Sequence, residues 1–249
     1  MFGVVRLGRR AVLALAVGLL AAAVLGGTAL WGQAEQALAP RDGSRVVYLT
    51  FDDGPSDNTT AILEALAEYG IRATFFATGQ YEGDSAGLLQ RIADGGHSIG
   101  LHSFSHNYDE IYSCSEAFFA DLQKVDDLVA QATGQRAVLY RFPGGSTNSH
   151  CPKWLRSQLR QQLADRGYIY HDWNVVSGDQ GSRVLPVEEL VQNVTEGAAR
   201  VGQGPLVVLF HDTNHCKTTP EAVRLVAEQF LEEGWQFCPI TPETDPIRL

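Results

Sequence analysis

The sequence predicts one α/β domain built as a barrel of parallel strands, and three observations carry that expectation. The chain has 249 residues, 45% of them from the AVILMFWYC set and 19% charged, which is enough apolar material for a sizeable core at the length of one α/β barrel. Short apolar runs alternate with longer amphipathic ones, the pattern of repeated strand–helix units. Acids, histidines and an arginine gather at the C-terminal ends of the short runs, the end where barrel strands carry active sites. This composition excludes a disordered tail or a collagen-like fibre. A formal charge of −10 argues against a nucleic-acid partner, because phosphate backbones are repelled.

In chain order, Arg6, Arg9 and Arg10 precede an uncharged run over 11–31 that is rich in Ala, Leu and Val. Its 21 residues exceed the core of a cleavable signal and match a spanning helix, though Gly18, Gly26 and Gly27 dilute it. We therefore expect residues 1–31 to be a signal peptide or signal anchor, with the balance towards an uncleaved anchor and the arginines cytoplasmic. The domain then lies outside, touching membrane only through this segment. Residues 32–44 are small and polar and read as a linker, leaving 45–249 as the folded domain. Strands are expected over 45–51, 73–77, 98–101, 138–142, 168–174, 206–211 and 236–240. Helices are expected over 59–69, 84–94, 115–132, 153–166, 186–200 and 219–233, the last opened by Thr218 or Thr219 before Pro220.

Four strings carry chemistry. In Thr50-Phe51-Asp52-Asp53-Gly54-Pro55, adjacent carboxylates at a strand end point in different directions, so one can ligate a metal while the other accepts a proton. The same string also reads as a capping turn. In His102-Ser103-Phe104-Ser105-His106 the i, i+4 spacing suits one face of a helical turn, and two imidazoles plus Asp53 make a three-ligand set for Zn²⁺. With seven histidines in the chain, coincidental spacing is the alternative. Arg141 in Arg141-Phe142-Pro143-Gly144-Gly145 can hold a carboxylate, and the Gly144 N–H can donate to an oxyanion, unless this is a plain turn. His211, after the apolar run 207–210, suits general-acid work, or is a buried histidine satisfied by a carbonyl.

The four cysteines, an even number in an exported chain, permit two disulfides. Of three connectivities we expect Cys114–Cys151 and Cys216–Cys238, all four lying near loops. A cysteine zinc site is weak because no C-x-x-C pair exists.

As an ordered set these strings resemble the NodB-homology polysaccharide deacetylases, carbohydrate esterase family 4, from about Val46 to Ile240. The resemblance implies a distorted (β/α)7 barrel, in agreement with the seven strands counted above. It makes Asp52 the catalytic base, held by Arg141, and His211 the catalytic acid. It makes Asp53, His102 and His106 the ligands of Zn²⁺ or another divalent ion such as Co²⁺. Leu209 would line the pocket for the acetyl methyl, Trp173 the cleft wall, and Asp179 would tune His211. Two departures touch the cleft. The family's Arg-Pro-Pro-Tyr becomes Arg141-Phe142-Pro143-Gly144, which keeps the amide and loses the tyrosine, and Val176 and Gln180 replace positions often acidic and aromatic.

The implied activity is metal-dependent removal of N-acetyl groups from an acetylated amino-sugar polysaccharide. Peptidoglycan is the first choice given the export address, chitin oligosaccharides the second and acetylated xylan the third. A catalytically silent glycan-binding barrel is the alternative from another class, opposed by the intact set of base, ligands, arginine and acid. A glycoside hydrolase needs two carboxylates flanking the sugar bond, which adjacent Asp52 and Asp53 suit poorly.

Overall fold

The computed structural model describes residues 45–249; the hydrophobic run over 11–31 and the linker over 32–44 lie outside the described residues. Among the described residues no helix is long and apolar enough to cross a membrane. In chain order the elements are β1 (Val46–Asp52), α1 (Thr59–Glu68), β2 (Thr74–Thr78), α2 (Ser85–Asp94), β3 (Ser98–Ser103), α3 (Tyr108–Ile111), α4 (Ser115–Thr133) and β4 (Leu139–Tyr140). They continue with α5 (Lys153–Asp165), β5 (Ile169–Tyr170), β6 (Val175–Val176), α6 (Val187–Val201), β7 (Leu206–His211), α7 (Thr219–Glu232) and β8 (Gln236–Phe237). The strands pair in the order β5-β4-β3-β2-β1-β7-β6, every pair parallel, with β8 joined to the start of β1. This is the distorted (β/α)7 barrel expected from the sequence.

The two-residue period of a strand decides what faces the barrel interior. On β1, Val47, Leu49 and Phe51 join the layer packed under the helices, whereas Val46 and Tyr48 belong to the inner cluster with Phe76, Leu139 and Val207. The same alternation directs Thr50 and Asp52 inward. On β7, Leu206, Val208 and Phe210 pack outward and Val207 inward, so Leu209 and His211 share the inner face. Register completes the placement, since Asp52 lies opposite His211 across the β1–β7 pair.

The expected fifth strand, 168–174, forms only as β5, with the short β6 beginning after its end, and the cause is chemical. Arg141 Nε donates to the His171 carbonyl at 3.0 Å and its NH2 nitrogen to the Asp172 carbonyl at 2.9 Å. Those carbonyls serve the guanidinium instead of a neighbouring strand. The Asp172 N–H donates to Ile247 O at 2.8 Å, and the Leu249 N–H to the Asp172 carboxylate at 2.9 Å. Residues 247–249 therefore occupy the seam at which β5 and β6 do not pair. At the head of α7, Thr218 is the N-cap residue with a proline just behind it, yet its hydroxyl makes no cap bond. It donates to Leu185 O at 2.9 Å instead.

The expected disulfides are not formed; all four cysteines are free thiols. Cys216 and Cys238 stand at opposite ends of the barrel. The Cys238 N–H donates to Val47 O, while Cys216 Sγ lies 3.5 Å from Asp179 O beside the other end of β1. Five residues of strand separate those levels, about 16 Å, against the roughly 7 Å limit between bridged α-carbons. Cys114 is the N-cap of α4, its sulfur accepting from Ala117 N, and Cys151 is buried.

Candidate active site

The C-terminal mouth of the barrel gathers the four motifs. Arg141 is fully buried, and its NH1 nitrogen donates to Asp52 Oδ1 at 2.9 Å and to Thr50 Oγ1 at 2.7 Å. Its guanidinium carbon stands 4.2 Å from the centre of the Phe76 ring and 5.6 Å from that of Trp173. Fork geometry, apolar stacking and four oxygen partners leave the arginine one orientation. Asp52, itself only 3% exposed, is thereby held with its second oxygen towards the cluster formed by Asp53 and the histidines.

Asp53, His102 and His106 bring one ligand atom each within 4.8 Å of one another. His102 Nε2 lies 3.5 Å, and His106 Nε2 3.3 Å, from Asp53 Oδ1. His102 Nδ1 is 2.8 Å from the Arg141 carbonyl, which can only accept, so Nδ1 carries the proton and Nε2 presents a lone pair. Burial pushes His102 below the usual histidine range, favouring that neutral form. Asp53 Oδ1 is buried without a hydrogen-bond partner. Lone pairs converging on an unsatisfied buried carboxylate oxygen are what a divalent cation would satisfy, and the N,N,O donor set suits zinc. The residues present therefore fit a metal.

The two histidines do not lie on a helical turn, as their spacing suggested. His102 belongs to β3 and His106 to the loop after it, where the chain turns through a left-handed residue. Asp53 (φ 72°) and His106 (φ 50°) are the two non-glycine residues with positive φ among the described residues, and both are candidate ligands. Such conformations cost on the order of 1–3 kcal/mol each and persist only where surroundings impose them. Asp121 imposes one of them. This helix residue, 7% exposed, accepts from Ser103 Oγ, Phe104 N and Ser105 N, and Ser103 Oγ accepts in turn from His106 N.

On the neighbouring strand β7, His211 Nδ1 bonds Asp179 Oδ1 at 2.8 Å, while Asp179 Oδ2 accepts from His211 N and Thr219 Oγ1. Burial pulls His211 down, but the Asp179 hydrogen bond and charge, with Asp52 and Asp53 beyond, outweigh it and hold the imidazole above its ordinary value. Leu209, 5% exposed, lies two residues before it on the same inner face. Gly144 is exposed at the tip of the turn after Arg141, and half-buried Trp173 stands beside Gly145. Gln180 Nε2 reaches the outer oxygen of Asp53 at 3.4 Å. A cleft of about 340 Å³ opens beside Asp53 and His106, bounded by Gln80, Tyr81, Thr213 and Asn214.

Three buried aspartates that sequence reasoning did not single out hold these loops. Asp212 accepts from Ser56 and Thr59 hydroxyls and so ties the Asp52–Asp53 loop to β7. Asp172 accepts from the backbone and hydroxyl of Ser146, and Asp121 shapes the histidine loop. A signal existed for Asp121: on α4 it shares the buried face of Phe118, Leu122 and Val125, where an acid must find partners.

A parallel barrel whose mouth joins paired carboxylates, an Asp/His/His cluster and an aspartate-bound histidine defines a hydrolase of the NodB-homology type. A family model described as polysaccharide deacetylase matches residues 39–162. The chain is 30% identical over 197 residues to a peptidoglycan-N-acetylglucosamine deacetylase of Bacillus cereus, covering 78% of this chain and 68% of that one. The catalytic domain of a peptidoglycan N-acetylglucosamine deacetylase from Eubacterium rectale superposes with a TM-score of 0.78 at 35% identity, over 84% of this chain and 94% of that one. A polysaccharide deacetylase from Bacillus cereus superposes at 0.72 with 28% identity, over 82% and 96% of the two chains. The chain belongs to the polysaccharide deacetylase family and is an enzyme of that class.

Proposed function

We propose that this enzyme removes the acetyl group from N-acetylglucosamine in peptidoglycan, with zinc held by Asp53, His102 and His106. The observation that carries the reading is the unsatisfied, buried Asp53 Oδ1 facing two histidine nitrogens, with Asp52 beside His102, and His211 paired to Asp52 across β1 and β7. The names of the relatives support the polymer, and the apolar run over 11–31 supports delivery to the cell-wall side of a membrane.

When bound, the metal supplies Lewis-acid polarisation of the acetamide carbonyl and acidifies water. Asp52, fixed by Arg141, takes a proton from the water as its oxygen bonds the carbonyl carbon. The Gly144 N–H donates to the oxygen that becomes negative. His211, protonated and oriented by Asp179, gives its proton to the sugar nitrogen as the C–N bond breaks. Acetate and a free amine leave. Leu209 offers an apolar surface to the acetyl methyl, and Trp173 bounds the sugar.

The test is acetate release from peptidoglycan, chitin oligomers and acetylated xylan by chelator-stripped and zinc-reloaded enzyme. Zinc-dependent release that is fastest on peptidoglycan is expected. Equal activity after stripping, or faster release from xylan, would overturn the metal or the polymer respectively.

The pH profile tests the acid. A histidine held above its ordinary value stays protonated further into the alkaline range, and an acid catalyst fails only above its own pKa. Asp179→Asn removes the charge that raises it, so the alkaline limb of kcat/KM should move to lower pH while the acid limb stays put. An alkaline limb unchanged in that variant would take His211 out of the acid's role.

A further inference from the structure

The chain leaving Arg141 reverses at Phe142-Pro143-Gly144-Gly145, where the Gly145 N–H donates to Phe142 O at 2.8 Å. Proline holds the second position at negative φ, and Gly144 at the third has φ +72°. Negative then positive φ is a type II turn. Types I and II of one turn differ chiefly in the central peptide, here Pro143–Gly144, which is turned over between them. Carbonyl and N–H point in opposite directions across a planar trans peptide. Whatever anchors Pro143 O therefore also aims the Gly144 N–H.

Two side chains anchor it. Tyr112 Oη donates to Pro143 O at 2.8 Å, and Asn148 Nδ2 donates to it at 3.1 Å. Tyr112 is 4% exposed, and its ring stacks on Tyr108 at 5.9 Å and on Phe118 at 6.3 Å. Burial pushes its hydroxyl well above the phenol range, which keeps it a donor. Asn148 is braced by its own bonds to Gly145 O and from Cys151 N. The Gly144 N–H, on the far side of the peptide, has no acceptor among the described residues. A β-carbon on Gly144 would sit 3.0 Å from the hydroxyl of Tyr108, whose ring in turn adjoins that of the candidate ligand His106 at 5.3 Å.

We infer that Tyr112, assisted by Asn148, is a positioning residue that locks the Pro143–Gly144 peptide in its type II orientation and so keeps the Gly144 N–H available to the oxyanion. In the type I orientation the Pro143 carbonyl would take the place of that donor and repel the developing charge. The inference rests on the proposed role of Gly144 in amide hydrolysis.

The test uses the full chain loaded with zinc and penta-N-acetylchitopentaose as substrate. Tyr112→Phe deletes one oxygen and keeps the ring stack. A lost oxyanion donor costs 10²–10³ in turnover, and a peptide that spends only part of its time flipped should cost about 10-fold. We expect that fall in kcat with KM and zinc affinity unchanged. A methylphosphonamidate of the glucosamine oligomer, tetrahedral where the substrate is planar, should bind more weakly by the same factor. Asn148→Ser should show the same signature more weakly, and it serves as the readout if Tyr112→Phe folds poorly. A lower Tm with kcat and phosphonamidate affinity intact in both variants would reduce Tyr112 to a packing role and overturn the inference. If the wild-type enzyme releases no acetate from any acetylated glycan, the underlying reading fails and this inference with it. An active wild type matched by both variants sinks the inference alone.

Discussion

Asp52→Asn should lower turnover by about 10²–10⁴ while zinc stays bound, the loss typical of a deleted general base. Asp53→Asn should produce the opposite pairing, with weakened zinc affinity and turnover partly restored by excess metal. The two carboxylates are neighbours in sequence, so a diffuse electrostatic role would make them interchangeable. The structure separates them. Asp52 Oδ1 is committed to Arg141 at 2.9 Å, whereas Asp53 Oδ1 is unsatisfied and lies within 3.5 Å of both histidine nitrogens. Zinc titration beside acetate release reads the crossed pattern. Near-wild-type turnover by Asp52→Asn would overturn the base even if the metal assignment stood.

Arg141→Leu should destabilise the domain by about 3–5 kcal/mol, because removing one member of a buried ion pair strands the other. The loss reaches beyond Asp52. The carbonyls of His171 and Asp172 and the hydroxyl of Thr50 all take bonds from this guanidinium. Activity should fall as well, since Asp52 loses the donor that fixes its orientation. Arg141→Lys should fall between the two, keeping the charge but not the fork. Denaturant unfolding measures the first effect and initial rates the second. A loss below about 1 kcal/mol with near-normal rates would show that the arginine is dispensable to both fold and base.

Much of this site is legible from single strings. The alternation along 46–52 and 206–211 already aims Asp52 and His211 at one interior, because side-chain direction in a strand follows from local backbone geometry alone. Other features needed partners from distant sequence. The spacing of His102 and His106 suggested a helical turn, yet the histidines converge through a strand end and a left-handed loop that Asp121 holds from another element. The apolar run over 168–174 read as one strand, yet Arg141 draws its central carbonyls away from the sheet. Loop positions for Cys216 and Cys238 suggested a disulfide, and nothing local shows that the two loops lie at opposite ends of the barrel.

By itself, then, the sequence determined the parallel barrel, the chemical groups at its mouth and the faces from which they project, all of which depend on residues within a few positions of one another. Tertiary structure decided the contacts that neither the strings nor the family resemblance supplied. It set the Asp121 and Asp212 staples and the peptide held by Tyr112. The physical reason is that a buried polar group must find a partner wherever the fold supplies one. That partner is chosen by strand register and loop closure across 16 to 156 positions of chain, distances at which no local pattern carries information.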